Sequence, residues 1–129
     1  MIVLRVPSVD DARKEIRSTE KDMANVNLRR RLNDFNSGPP RRVPGVADEC
    51  VTFDLSRVNF ISAVPGNGNY YTQKGRYLEC RVANVDIVVE WIGLNYSKSW
   101  SRTTGSGLDR ASADQVTQTI VRSVVAVLA

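Results

Sequence analysis

The residues best suited to chemistry lie between Asn95 and Thr103. If this stretch is a strand, alternation puts Tyr96, Lys98, Trp100 and Arg102 on one face, and Asn95, Ser97, Ser99, Ser101 and Thr103 on the other. Rings alternating with cations suit a single-stranded nucleic acid, because bases stack on the rings while Lys and Arg meet phosphates. The competing reading turns Tyr96 and Trp100 into the core, with the basic stems running outward at its edge. A second basic group is Arg29-Arg30-Arg31, with Arg41-Arg42 beyond it. Residues 1–46 carry ten Lys/Arg against six Asp/Glu, whereas residues 47–129 carry eight of each. The whole net charge of +4 therefore sits in the N-terminal third. That asymmetry suits an acidic partner such as RNA or another single-stranded nucleic acid. A solvated helix face followed by a basic loop would carry the same charges.

Other chemistry is poorly provided for. The chain has no histidine, which removes the commonest general base and metal ligand, and the usual partner of a serine or cysteine nucleophile. Two cysteines cannot make a four-thiolate zinc site. Gly66-Asn-Gly68 and Gly105-Ser-Gly107 lack the context of a phosphate-binding loop and read as turns. Carboxylates are scattered singly except Asp10-Asp11 and Asp48-Glu49, which sit at a helix start and a strand entry. No nucleophile–base pair can be named. The expectation is a protein that is not an enzyme, with no catalytic residues, metal or cofactor.

The elements that must position these residues follow from periodicity. Ser8-Val-Asp-Asp11 reads as a helix start with Ser8 as N-cap. Val9, Ala12, Ile16, Thr19, Met23 and Val26 then recur at helical spacing, a thin stripe on a charged segment. The phase slips to Leu28, Leu32 and Phe35, and Ser37-Gly-Pro-Pro40 ends the segment. Residues 37–46 hold three of the five prolines and read as a semi-rigid linker. Residues 50–104 read as an antiparallel meander of about four or five strands. Cys50–Val64 comes first, ended by the turn Pro65–Asn69. Tyr70–Thr72 opens the return, with Lys74-Gly75 as a further turn or bulge. Tyr77–Val82, Val85–Ile92 and Asn95–Thr103 follow. Val85–Ile92 is nearly all apolar, as in a central strand covered on both faces, and Phe53, Leu55, Val85, Ile87 and Val89 are expected to be fully buried. Ser112-Ala-Asp-Gln115 reads as a capping box opening a C-terminal helix. Val116, Ile120, Val124 and Val127 form its apolar stripe, with Thr117, Gln118 and Arg122 opposite. That stripe faces either its own sheet or a neighbouring subunit.

At 129 residues, 42% hydrophobic and 25% charged, the chain has the size and composition of one globular α+β domain. It divides into a charged, helix-prone segment (1–36), the linker (37–46) and a core of sheet plus C-terminal helix (47–129). Its longest apolar run, Val124–Ala129, is far too short to span a bilayer, and Met1–Arg5 followed by Pro7 is neither a signal nor a transit peptide. Alternation puts Cys50 with the polar Thr52 and Asp54, and Cys80 with Leu78 and Val82. Opposite facing argues for two free thiols in a reducing compartment.

Strands followed by a closing helix, in a short, basic, histidine-free chain, resemble the coat proteins of small RNA bacteriophages over residues 50–129. The resemblance implies a sheet face that binds RNA hairpins and a C-terminal helix that interlocks between subunits. Residues 8–36 stand where that family has an N-terminal hairpin, and only one C-terminal helix is present. A Ser/Thr/Gly strand end and a terminal amphipathic helix are also similar to some bacterial envelope accessory lipoproteins, without their lipobox cysteine. The expected function is a self-associating, non-enzymatic structural subunit, in the coat-type setting of a virion or in the cytoplasm. Its rivals are a single-stranded nucleic-acid-binding module working as monomer or dimer, and an envelope-associated accessory domain.

Overall fold

A computed structural model describes residues 1–25, 35–61, 70–95 and 106–129, without the side chains of 35–37, 57–61, 70–72, 95 and 106. The fold is α+β. Its elements are β1 (Ile2–Arg5), α1 (Val9–Ala24), β2 (Phe35–Ser37), β3 (Arg41–Arg42), β4 (Glu49–Ile61), β5 (Tyr70–Val82), β6 (Val85–Asn95), β7 (Ser106–Gly107) and α2 (Arg110–Leu128). The sheet runs β1-β6-β5-β4-β2, with β3 on β4 and β7 on β6, and every pairing is antiparallel. The long strands β4, β5 and β6 form the expected meander. Their register places Cys50, Cys80 and Ile87 in one row, and Phe53, Tyr77 and Glu90 in another.

The two helices cover opposite faces. Cys50, Leu78, Cys80, Ile87 and Val89 pack with Val121 of α2 and with Val46. The alternate residues Phe53 and Leu55 pack with Met23 of α1. Ser8 caps α1 as expected, its Oγ accepting from the Asp11 N–H at 3.1 Å. The thin stripe predicted for this helix is also present, since Ala12, Ile16 and Met23 are its buried residues.

Several expectations are corrected. Cys50 and Cys80 are directly opposite one another and joined by a disulfide, not free thiols. The alternation that groups Cys50 with Thr52 and Asp54 holds, but this set lies beneath α2 rather than in solvent. Buried Thr52 finds its partner there, donating to the Tyr77 carbonyl at 2.6 Å. Lys74-Gly75 is no turn, because β5 runs through it unbroken. A Cβ on Gly75 would lie 1.9 Å from the Trp91 carbonyl oxygen, so only glycine allows β5 and β6 to approach this closely.

α2 starts earlier than the capping box implied. Asp109 is its N-cap and accepts from the Ser112 N–H at 2.9 Å. Its buried line is Ala113, Thr117 and Val121, so Thr117 faces inward, its hydroxyl donating to the Ala113 carbonyl at 2.9 Å. Val85 is only partly buried, whereas Phe53, Leu55, Ile87 and Val89 are buried as expected. Strands β1, β2 and β7 had no expected counterpart, β7 taking Ser106–Gly107 where a turn was expected, and β3 falls within residues 37–46. The phase slip at Leu28 and Leu32 lies outside the described residues, and Phe35 belongs to β2 rather than to a helix.

Candidate functional site

β5 carries charge into the protein on both faces. On the α2 side is Arg76, which is fully buried. Its register partners are Asp54 on β4 and Trp91 on β6. The first turns of α2 bring Arg110 and Asp114 onto the same point, and β3 brings Arg41. Arg76 Nη1 pairs with Asp54 Oδ1, and its Nη2 donates to Asp114 Oδ2 at 2.9 Å. Its Nε lies 2.5 Å from Asp114 Oδ1, outside hydrogen-bond angles. Arg110 donates to Asp54 Oδ2 at 2.6 Å, and Arg41 reaches Asp54 Oδ1 at 3.4 Å. Three guanidiniums thus share two carboxylates. Burial and the repulsion of Arg41 and Arg110 pull the Arg76 pKa down, while Asp114 pulls it up.

A cleft of about 400 Å³ opens beside this cluster, lined by Asp54, Ser56, Lys74, Gly75, Asp109 and Arg110 among others. Its carboxylates are already engaged. Asp54 holds the arginines, and Asp109 caps α2 and is kept below the usual carboxylate range by its bonds to Ser112. Close packing shapes the rim, since a Cβ on Gly107 would lie 2.6 Å from the Lys74 side chain. The arrangement ties α2 to the end of the sheet.

On the α1 side lie Tyr77, Glu79, Arg81 and, on β6, Asp86. Arg81 is well matched, its Nε donating to Glu49 Oε2 at 2.6 Å and its Nη1 to Asp48 Oδ2 at 3.2 Å. The Arg81 guanidinium holds Glu49 below its ordinary pKa. Asp48 also accepts from the Ala83 N–H at 2.9 Å, which fixes the β5–β6 turn where Ala83 adopts φ 49°. Glu79 is 2% exposed and accepts from the Tyr77 hydroxyl at 2.8 Å. Burial, with Glu79 alongside, pushes the Tyr77 pKa up. Asp86 is 6% exposed, and its Oδ1 is buried without a hydrogen-bond partner. Burial, then the charges of Glu79 and Glu15, push Asp86 up to about 7.

A third feature is apolar. β1 pairs with β6 along one edge, and its other edge is unpaired among the described residues. Ile2 and Leu4 are 54% and 53% exposed, and Met1 and Val3 are exposed too.

Tyr96, Lys98, Trp100 and Arg102 lie outside the described residues, as do Arg29, Arg30 and Arg31. The expected interface stripe does not stand out as one surface. Ile120 and Val124 pack against the core cluster, Val116 is half-buried, and Val127 is 86% exposed. Sequence reasoning missed Arg76 and Asp86. Arg76 is in phase with Leu78, Cys80 and Val82, and that signal could have placed it inward. No protein-family model matches the chain, and neither a curated protein nor a solved structure does. No helix among the described residues is long and apolar enough to cross a membrane.

Proposed function

We propose that this protein is a non-enzymatic structural subunit that assembles with copies of itself, with β1 as the joining edge. The observation that carries this reading is an edge strand, unpaired among the described residues, whose Ile2, Val3 and Leu4 are all exposed. Edge strands are usually guarded by charge, proline or a covering element, because free N–H and C=O groups recruit another strand. Met1–Leu4 carries no charged side chain and no proline, the first of these being Arg5 and Pro7 at the far end of the strand. Antiparallel pairing of two β1 strands about a twofold axis would satisfy these groups and cover the apolar side chains. Exposed Val127 and Leu128 at the end of α2 add apolar surface to the same reading.

Both faces of the described sheet carry a helix, so the nucleic-acid-facing role of the coat-type setting rests on Tyr96, Lys98, Trp100 and Arg102 with Arg29–Arg31, which lie outside the described residues. Of the described cations, Arg13, Lys14, Arg41, Arg42, Arg76, Arg81 and Arg110 pair with carboxylates, which leaves Arg5, Arg17, Lys21, Lys74 and Arg122 outside the ion pairs of the described residues.

Light scattering after size-exclusion chromatography tests the assembly. The wild type should elute as a discrete oligomer, and an Ile2→Lys, Leu4→Lys double variant as a folded monomer. A wild type that stays monomeric at high concentration, or an oligomer untouched by the double variant, would remove β1 as the joining edge.

A further inference from the structure

We propose that Asp86 is a proton-operated latch for α1: protonated, it lets the helix lie closed on the sheet, and ionised, it loosens that contact. The cluster's geometry carries this. Asp86 is more than nine-tenths buried on the α1 face of β6, and its Oδ1 has no hydrogen-bond partner. The groups around it are acidic or already engaged. From β5, Glu79 is buried with its Oε2 held by the Tyr77 hydroxyl. Arg81, the register partner of Asp86, directs its guanidinium to Glu49 and Asp48 at the β4 end. From α1, Glu15 adds a further negative charge, while Arg13 pairs with Asp10. Glu90, on the same face of β6, is another carboxylate. β1 contributes only Ile2 and Leu4 on this face. Among the described residues no cation lies within ion-pair distance of Asp86, and only the Ile87 N–H favours its charged form.

A buried, unpaired carboxylate beside other carboxylates is costly when ionised and cheap when protonated. The element that can yield is α1. Its buried contacts are Ala12, Ile16 and Met23, supplemented by a partly exposed ion pair of Glu20 with Arg42 on β3 at 2.9 Å, whereas β5 and β6 are each hydrogen-bonded on both sides and β5 is bonded to β4 through Cys80. A helix held by three buried side chains and one solvent-screened ion pair opens without the whole domain unfolding.

The sign follows from linkage. The closed state holds the Asp86 proton up to about pH 7, while a released, solvated Asp86 gives it up near pH 4. Closure is therefore fully favoured below about pH 4, weakens by up to about tenfold per pH unit as pH rises towards 7, and levels off above it.

Hydrogen exchange on the whole protein between pH 5 and 8, corrected for intrinsic rates, tests the latch. The α1 amides should be less protected than those of Leu78 and Cys80 at every pH. Their protection should drop by up to about tenfold per unit from pH 5 to 7 and flatten by pH 8. Asp86→Asn should abolish the slope. Glu79→Gln, which keeps an acceptor for Tyr77 but removes the charge, should move the flattening to lower pH, and it tests the latch even if Asp86→Asn fails to fold. A pH-independent α1 would overturn the proposal, as would an unchanged slope in Asp86→Asn or an unmoved flattening point in Glu79→Gln. Equal protection of α1 and β5 would also overturn it, because α1 would then open only with the whole domain.

Discussion

Arg76 and Glu79 lie three residues apart on one strand, and each opens a buried charge centre on its own face of the sheet. Around Arg76, two carboxylates and two further guanidiniums converge, so the buried cation is held by Asp54 and Asp114 together. Around Asp86, the nearest charges are carboxylates and the one buried cation, Arg81, is engaged elsewhere. Arg76 and Asp86 are themselves buried to a similar depth, at 0% and 6% exposed. The contrast shows that the partner, not the depth of burial, decides whether a buried charge anchors an element or strains it. α2 is tied down by its charge centre. α1 rests on one that favours closure only while it keeps a proton.

The sharpest way to break the contrast is Arg76→Ala. Removing one member of a buried ion cluster leaves the others uncompensated, and losses of about 3–5 kcal/mol are typical. Asp54 would keep Arg41 and Arg110, but Asp114 would lose the partner that ties α2 to β5. Urea denaturation measures the loss, and Arg76→Met should recover part of it by filling the space without a charge. A loss under about 1 kcal/mol would mean that α2 is held by Val121 and its neighbours alone.

The second test acts on the other face. Asp86→Asn removes the ionisation and nearly keeps the shape. With its pKa raised to about 7 in the folded state and near 4 when unfolded, wild-type Asp86 withdraws stability as pH climbs from 4 to 7. The variant should match the wild type at pH 4 and exceed it by up to about 4 kcal/mol at pH 8. Denaturation at both values gives the difference. A variant that is less stable than the wild type at pH 8 would place a favourable partner beside Asp86 that the geometry does not show.

What the sequence reveals, and what it hides, follows the same division. Helix α1 was legible because Ser8 offers a cap and Ala12, Ile16 and Met23 hold the period. The strand phases were legible as well, since Cys50 does side with Thr52 and Asp54. Orientation was not. In a sheet with a helix on each face there is no outer side, so a polar set such as Thr52, Asp54 and Arg76 can lie beneath α2 while hydrogen bonds and ion pairs satisfy it. Reading that set as solvent-facing separated the two cysteines and hid the Arg76 cluster. The start of α2 was displaced because Asp109 and Ser112 can both cap, and the carboxylate of Asp109 takes the Ser112 N–H. β1 and β2 are too short to show a period and exist through pairing with distant strands. Of the expected site, the cationic and aromatic residues lie outside the described residues, and the apolar stripe of α2 is divided between its own core and solvent.

The smallest expected effect is also the most discriminating, because it asks whether every arginine around Asp54 matters. The Arg110 side chain is 69% exposed, yet its Nη2 sits 2.6 Å from Asp54 Oδ2, closer than many strong ion pairs. Exposed pairs contribute little, since water screens the attraction and holding a long side chain costs entropy. Here a second term opposes the first, because Arg110 repels Arg76 and helps lower its pKa. Arg110→Ala loses the attraction to Asp54 and relieves that repulsion, so the net change should stay within about 0.5 kcal/mol. Adding Arg41→Ala should behave alike, and because both arginines contact one carboxylate, the double variant need not equal the sum of the singles. Urea denaturation at low salt and in 1 M NaCl measures both, and salt should shrink whatever difference remains. A loss above about 2 kcal/mol for Arg110→Ala would mean that the exposed arginines help carry Asp54, and the contrast would then lie between a shared network and a lone carboxyl group rather than between a paired ion and an unpaired one.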